Sequence, residues 1–213
     1  MCLNNWGGID HKVLEFHEYV NLFSGKSGSG KSTVMDAIQV ILYGSFSPSF
    51  LNKAADDAKN RRSVLSYLRG EQKDGSANRK DCDFCSVIAL EIEDTGTHII
   101  TCIGIAFEVR KSDSEIKKFV YFSHSGKMPE SEYLTEQGVC YSNQEIKKLV
   151  SARTKSDDNR GKGEVNRIYG SKEAYLGTLY DVILGYIDQN RFITMEKSAI
   201  ALKMTNGTGQ FIR

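Results

Sequence analysis

The chain has 213 residues, 40% of them hydrophobic and 26% charged, with a formal net charge of +1. That length suits one sizeable domain, and the composition is that of a globular chain, too polar for a membrane class and without the global positive field of an obligate nucleic-acid binder. No apolar run approaches the roughly 20 residues that span a bilayer, and the start "MCLNNWGGIDHK" lacks the basic-then-apolar layout of a signal peptide, so a cytoplasmic protein with no membrane partner is expected.

Taken in chain order, "VLEFHEYVNLF" predicts two short strands, Val13–Phe16 and Tyr19–Phe23, the second running into the glycine-rich stretch "GKSGSGKST". The following "KSTVMDAIQVILYG" sets Val34, Ala37, Ile38, Ile41 and Leu42 on one helical stripe, with Gly44 placed to stop the helix. After a break at Pro48, "NKAADDAKNRRSVLSYLRGE" predicts a basic helix. "SVIALEIED", "THIITCIGIAFEVR" and "KKFVYFS" predict three consecutive strands, an antiparallel meander. Beyond it, "ESEYLTEQG" reads as a short helix, "NQEIKKLV" as another, and "SKEAYLGTLYDVILGYI" as a third with Ser171 as N-cap. The polar stretch "SARTKSDDNRGKGEVNR" reads as a mobile loop, and there is no internal repeat.

Residues Gly25 to Ser32 satisfy G-x-x-x-x-G-K-[ST] at every fixed position, between a predicted strand and a predicted helix. Such a loop wraps backbone N–H groups round a polyphosphate at a helix N-terminus, so Gly25, Lys26, Ser27, Gly28, Ser29, Gly30, Lys31, Ser32 and Thr33 are the candidate nucleotide contacts. Lys31 is expected at the β- and γ-phosphates, Ser32 at Mg²⁺ and Thr33 on the α-phosphate side, with ATP and Mg²⁺ as cofactors. Hydrolysis needs an acidic residue at the end of a buried apolar strand as well. None is convincing: in "VIALEIED" Glu91 and Glu93 alternate with apolar residues, which describes a half-exposed antiparallel strand, and no Ser-Gly-Gly signature or later switch histidine follows. No catalytic residue is therefore assigned.

The positive charge is segregated. Residues 52–80 carry eight Lys/Arg against four acids, and residues 147–172 carry eight against three. Lys53, Arg61, Arg62 and Arg69 are candidates for contact with a DNA backbone, where each neutralised phosphate adds a salt-dependent increment; Lys155, Arg160 and Lys162 are weaker ones, since a charged loop needs no ligand. The five cysteines are scattered and expected to be reduced; Cys82 and Cys85 form one C-x-x-C, for which His98 or His124 could complete a zinc set, but buried or incidental thiols are the better reading. Trp6 reads as a core or edge aromatic.

"LNNWGGID", "GKSGSGKST", "NKAADDAKNRRSVLSYLRGE", "FCSVIALEIED" and "YGSKEAYLGTLYDVILG" together resemble the N-terminal head segment of SMC-like ATPases, within the MukB-like branch that includes the JetC-type subunits of Wadjet anti-plasmid systems. The resemblance implies a P-loop NTPase α/β fold of the ABC/SMC head type: an N-terminal lobe with an antiparallel β subdomain and a helical continuation. It implies a P-loop core at about residues 1–50, a basic helix at about 52–70, a β meander at about 86–123 and a helical part at about 130–213. It also implies that the present chain is the N-terminal lobe alone, with a long coiled coil and a C-terminal lobe bringing the signature and the acidic strand. The expected partners are that lobe, a second head in an ATP-sandwiched homodimer, DNA, and kleisin-like and accessory subunits. The magnesium-contacting glutamine of such heads would fall near Ser198, between Gln189 and Gln210, and is not assigned. Two other readings compete: a self-contained P-loop nucleotide or small-molecule kinase, for which "RTKSDDNRGKGEVNR" would be a lid, and a nucleotide-gated binding module without catalysis of its own.

Overall fold

The computed structural model describes residues 1–26, 28–48, 51, 62–72, 74–156 and 165–201. Six strands form one sheet, β1 (Cys2–Trp6), β2 (Ile9–Val13), β3 (Phe84–Asp94), β4 (Ile99–Val109), β5 (Lys118–Ser125) and β6 (Arg167–Tyr169), in the order β2-β1-β3-β4-β5-β6, every neighbour antiparallel. The helices are α1 (Lys31–Tyr43), α2 (Val64–Arg69), α3 (Asn143–Ser156), α4 (Lys172–Gly177), which continues as a π-helical turn over Thr178–Ile183, and α5 (Gln189–Ala201).

Side chains alternate across a strand, and here both faces of the sheet are covered. Leu3, Trp6, Ile88, Ile103, Ile105 and Phe107 point to one side and pack with Val34, Ile41, Leu68, Tyr175 and Leu179 of α1, α2, α4 and the π turn. Cys2, Val87, Ala89, Ala106 and Phe122 point to the other and pack with Tyr133 and with Ile146 and Val150 of α3. Coverage on two faces explains why β4 reads "IITCIGIAFEV" with little polar alternation. The exposed Glu91 and Glu93 mark the end of β3 that runs out past this cover.

The meander predicted from three consecutive strands is β3–β4–β5, paired from Phe84↔Val109 to Asp94↔Ile99 and from Thr101↔Ser125 to Glu108↔Lys118. Gly44 ends α1 in a left-handed conformation at φ 53°, and the Ser171 hydroxyl accepts from the Ala174 N–H, as those residues' chemistry predicts.

Elsewhere the structure departs from the periodicity. The two predicted strands before the glycine loop are not strands: β2 ends at Val13, and residues 14–25 join no sheet. The hairpin that forms instead is centred on Gly7-Gly8, with Trp6 paired to Ile9 and Gly7 at φ 58°, so the N-terminal residues took the sheet position and left Tyr19–Phe23 outside it. "ESEYLTEQG" forms turns and a Leu134↔Cys140 bridge, because Glu132 and Tyr133 adopt consecutive positive φ of 53° and 60°, which no right-handed helix accommodates. The single helix expected over 171–187 is α4 followed by the π turn, after which Gly185 and Tyr186 turn the chain at φ 74° and 63° into α5. Of the expected basic helix only 64–69 is seen as α2; residues 52–61 lie outside the described residues, as do 157–164 of the predicted mobile loop, whose first part continues α3.

Candidate functional site

The glycine loop opens directly onto α1, with Gly30 as its N-cap. Gly25, Gly28 and Gly30 have φ of 155°, 83° and 89°, and a Cβ on Gly25 would lie 2.6 Å from the Ser29 hydroxyl, so the tight curl requires glycine. Lys31 folds back over the loop, its Nζ donating to the carbonyls of Gly25 at 2.7 Å and Lys26 at 2.9 Å and to Ser29 Oγ at 3.2 Å. That contact holds the ammonium above the concavity to which the orphan N–H groups of the helix's first turn belong, a ready anion site. Gly28, Ser29 and Ser32 are exposed, and Lys31 and Thr33 half-buried. Ser27 lies outside the described residues.

Contacts distant in sequence hold α1 at both ends. Near its start, the Trp6 indole N–H donates to the Thr33 carbonyl at 2.8 Å; the indole stacks on Tyr67 at 4.9 Å, and the Tyr67 hydroxyl donates to the buried carboxylate of Asp36. At its end, Tyr175 donates to the Ile41 carbonyl at 3.0 Å, Tyr180 to Leu42 at 3.0 Å and Tyr121 to Gly44 at 2.6 Å. The last carbonyls of a helix have no intrahelical partner, and these three phenols satisfy them inside the core. Burial accordingly raises the Tyr175 phenol well above its ordinary value and that of Tyr121 to about 12. Trp6 is thus the core aromatic its position suggested, with an added role under the loop.

Beside the loop lies a cavity of about 550 Å³ lined by Gly8, Gly28, Gly30, Thr33 and Arg62 and by Gly70, Glu71, Gln72 and Asp74. Arg62 sits 5.6 Å over the Tyr67 ring. Arg69 turns away, its guanidinium donating to the carbonyls of Lys111 at 3.2 Å and of Asp113. Lys53 and Arg61 lie outside the described residues, as do Arg160 and Lys162, while Lys155 is exposed near the end of α3.

Cys82 is exposed and Cys85 half-buried, and among the described residues no three His, Cys, Asp or Glu side chains cluster as a metal site would need. Desolvation pushes the Cys85 thiol up to about 11, and those of Cys2 and Cys102 to about 12, so all three are neutral thiols near neutral pH. His124 is buried, with Nε2 2.9 Å from the Tyr133 hydroxyl, and desolvation lowers its pKa.

Residues 1–58 match the family model described as the P-loop containing region of AAA domain. The glycine loop and α1 are similar to a P-loop NTPase region. The matched span takes in the β1–β2 hairpin, the loop and α1, and nucleotide binding is the activity that such a region suggests. The mixed α/β architecture on one antiparallel sheet is P-loop NTPase-like. No curated protein matches the chain. Among the described residues no helix is long and apolar enough to cross a membrane.

Two contributors escaped the sequence reading. Asp36 lay next to the apolar stripe of α1 and offered a signal, since an acid at the edge of a buried face demands a partner. Arg79 offered none: it is 7% exposed, with Nε on the Leu68 carbonyl at 2.9 Å, Nη1 on Asp10 at 2.8 Å and Nη2 donating to the Gly7 carbonyl.

Proposed function

We propose that the chain binds ATP with Mg²⁺ as one lobe of a composite SMC-like ATPase head, acting in ATP-driven DNA handling, in anti-plasmid defence or chromosome organisation. The supporting observation is a complete phosphate loop approached by an apolar segment that belongs to no sheet. Tyr19, Val20 and Leu22 are 82%, 78% and 89% exposed, immediately before Gly25. Apolar side chains of that kind in a row mark a surface meant to be covered. A second lobe that pairs strands with residues 19–23 would bury them and carry the magnesium-holding carboxylate to the loop. Lys31 would then meet the β- and γ-phosphates, Ser32 the metal and Thr33 the α-phosphate side. In this reading the second lobe is the C-terminal part of the same protein, two heads sandwich ATP, and kleisin-like and accessory subunits bridge them. Lys53, Arg61, Arg62 and Arg69 are the DNA-backbone candidates.

The test is a titration of the 213-residue chain with a fluorescent ATP analogue and Mg²⁺, alongside a turnover assay. Saturable binding that Lys31→Ala removes, with negligible hydrolysis, is expected. Robust turnover by this chain alone, abolished in Lys31→Ala, would overturn the composite-site reading.

A further inference from the structure

Strand β1 breaks the two-residue alternation of a strand at one point. Leu3 faces the α1 side of the sheet and Cys2 the α3 side, so by alternation Trp6 belongs on the side of Cys2. It lies on the side of Leu3 instead, fully buried. The residue before it, Asn5, has φ 55°, a left-handed conformation in which asparagine is enriched and most side chains are strained. Pairing with β2 continues through Asn5, from Asn4↔His11 to Trp6↔Ile9, while pairing with β3 stops at Asn4↔Val87. Where the β1 and β3 backbones part, two side chains complete the ladder: the Asn5 amide donates to the Cys85 carbonyl at 2.7 Å, and the Ser86 hydroxyl donates to the Asn4 carbonyl at 2.8 Å. Asn5 is therefore a pivot fixed by its own side chain.

What the pivot aims is the grip on the phosphate loop. The re-aimed indole donates to the Thr33 carbonyl at 2.8 Å and lies flat on Tyr67, with the rings 8° from parallel. Gly7 follows with its N–H on the Tyr67 carbonyl at 2.8 Å, and a Cβ on it would stand 2.6 Å from the Thr33 methyl. Thr33 shares the first turn of α1 with Lys31 and Ser32, so the two residues after Asn5 hold the turn that carries the candidate phosphate and magnesium contacts. We infer that Asn5 is a positioning residue for the phosphate loop: its left-handed backbone sends Trp6 to the α1 side, and Trp6 fixes the turn that meets the phosphates. The inference rests on the nucleotide-binding reading of the loop and adds a residue outside the motif that sets its affinity. Backbone N–H groups bind a phosphate tightly when they are aimed at it beforehand, because no ordering cost then falls on binding.

The experiment measures the affinity of the 213-residue chain for a fluorescent ATP analogue with Mg²⁺, together with the melting temperature and the emission of Trp6, the single tryptophan. Asn5→Ala, which disfavours the left-handed backbone, should weaken binding about tenfold and shift the Trp6 emission to the red. Asn5→Gly keeps that backbone and loses only the amide, so it should recover affinity to within about threefold of wild type. Ser86→Ala loosens the same junction without touching the pivot; it should lower the melting temperature and leave affinity within about twofold, which separates positioning from stability. Trp6→Phe keeps a ring on Tyr67 and removes the N–H, and should weaken binding as Asn5→Ala does, with no further loss in the double variant because the two act in series. Wild-type binding that Asn5→Ala and Trp6→Phe each leave within about twofold, or a loss that tracks melting temperature across all four variants, overturns the inference and leaves the phosphate-loop reading standing. Should Asn5→Ala not fold, Asn5→Gly and Trp6→Phe carry the test, and unchanged affinity in Trp6→Phe overturns it. Absence of binding to wild type overturns both.

Discussion

Replacing Tyr175 with Phe isolates one of the contacts that fix the far end of α1. The ring is fully buried, stacked on Tyr121 at 4.6 Å and edge-on to Tyr169 at 5.7 Å, and Phe preserves both contacts. Only the hydroxyl that donates to the Ile41 carbonyl at 3.0 Å is lost. Water cannot replace it without opening the core, so the carbonyl is left unsatisfied at about 1–3 kcal/mol. Against a total stability of roughly 5–15 kcal/mol this is a visible fraction. For a chain of this size each kcal/mol moves the melting temperature by about 2–4 °C, so a loss near the middle of the range lowers it by about 4–8 °C. Differential scanning fluorimetry and urea unfolding read the change, with the urea slope expected to stay constant. Tyr180→Phe, which frees the Leu42 carbonyl, should act in the same direction. If both substitutions left the midpoint within about 1 °C of wild type, the phenols would not be serving as buried caps and the reasoning would fail.

Other expectations follow from exposure and ionisation. Burial raises the Cys2 and Cys102 thiols from 9.0 and the Tyr121 phenol from 10.0, each to about 12. The native state therefore keeps protons that the unfolded chain releases, and stability, fully present below pH 9, should fall as pH rises from 9 toward 12, measured as a lower urea midpoint at pH 10 than at pH 8. With a disulfide-exchange reagent at pH 8, the exposed Cys82 should react rapidly and the buried Cys2, Cys102 and Cys140 only after unfolding; fast labelling of several thiols in the native protein would contradict the packing. The double substitution Tyr19→Ser/Leu22→Ser should change stability by less than about 0.5 kcal/mol, because both side chains are exposed, and on the composite-head proposal it should weaken association with the proposed second lobe in a co-expression pull-down.

The sequence made the loop legible because its demands are local. Positive φ at Gly25, Gly28 and Gly30, a lysine able to fold back, and an apolar helical stripe all fall within twenty residues. The meander was legible for a related reason, since strands joined by short links pair with their neighbours. What stayed hidden was decided by competition between distant segments. "CLNNW" and "IDHKV" carry asparagines and charges that look poor for strands, yet they pair with each other across Gly7-Gly8 and "CLNNW" pairs against β3, while the more strand-like "YVNLF" is left out. Periodicity describes what a segment prefers and is silent on which of two candidates reaches a vacant sheet edge first. The broken helix after Ser171 has the same origin: Tyr175 and Tyr180 both reach carbonyls of α1, and the π turn that carries Tyr180 re-aims it.

The same long-range contacts join the fold to its chemistry. A phosphate loop works as a rigid cradle only if the helix behind it does not shift when charge arrives. Here α1 is held at Thr33 by an indole from the first strand and at Ile41, Leu42 and Gly44 by phenols contributed after residue 120. Gln39 adds a hydrogen bond at 2.9 Å to Glu196 of α5. Every one of these partners lies outside the loop motif, and all but Trp6 lie beyond the 58 residues matched to the P-loop region. The motif therefore supplies the shape of the cradle and the remainder of the chain its stiffness. Among the described residues Tyr19, Val20 and Leu22, just before the loop, are exposed, so on the composite-head proposal this is where a covering partner would bear on the loop's geometry.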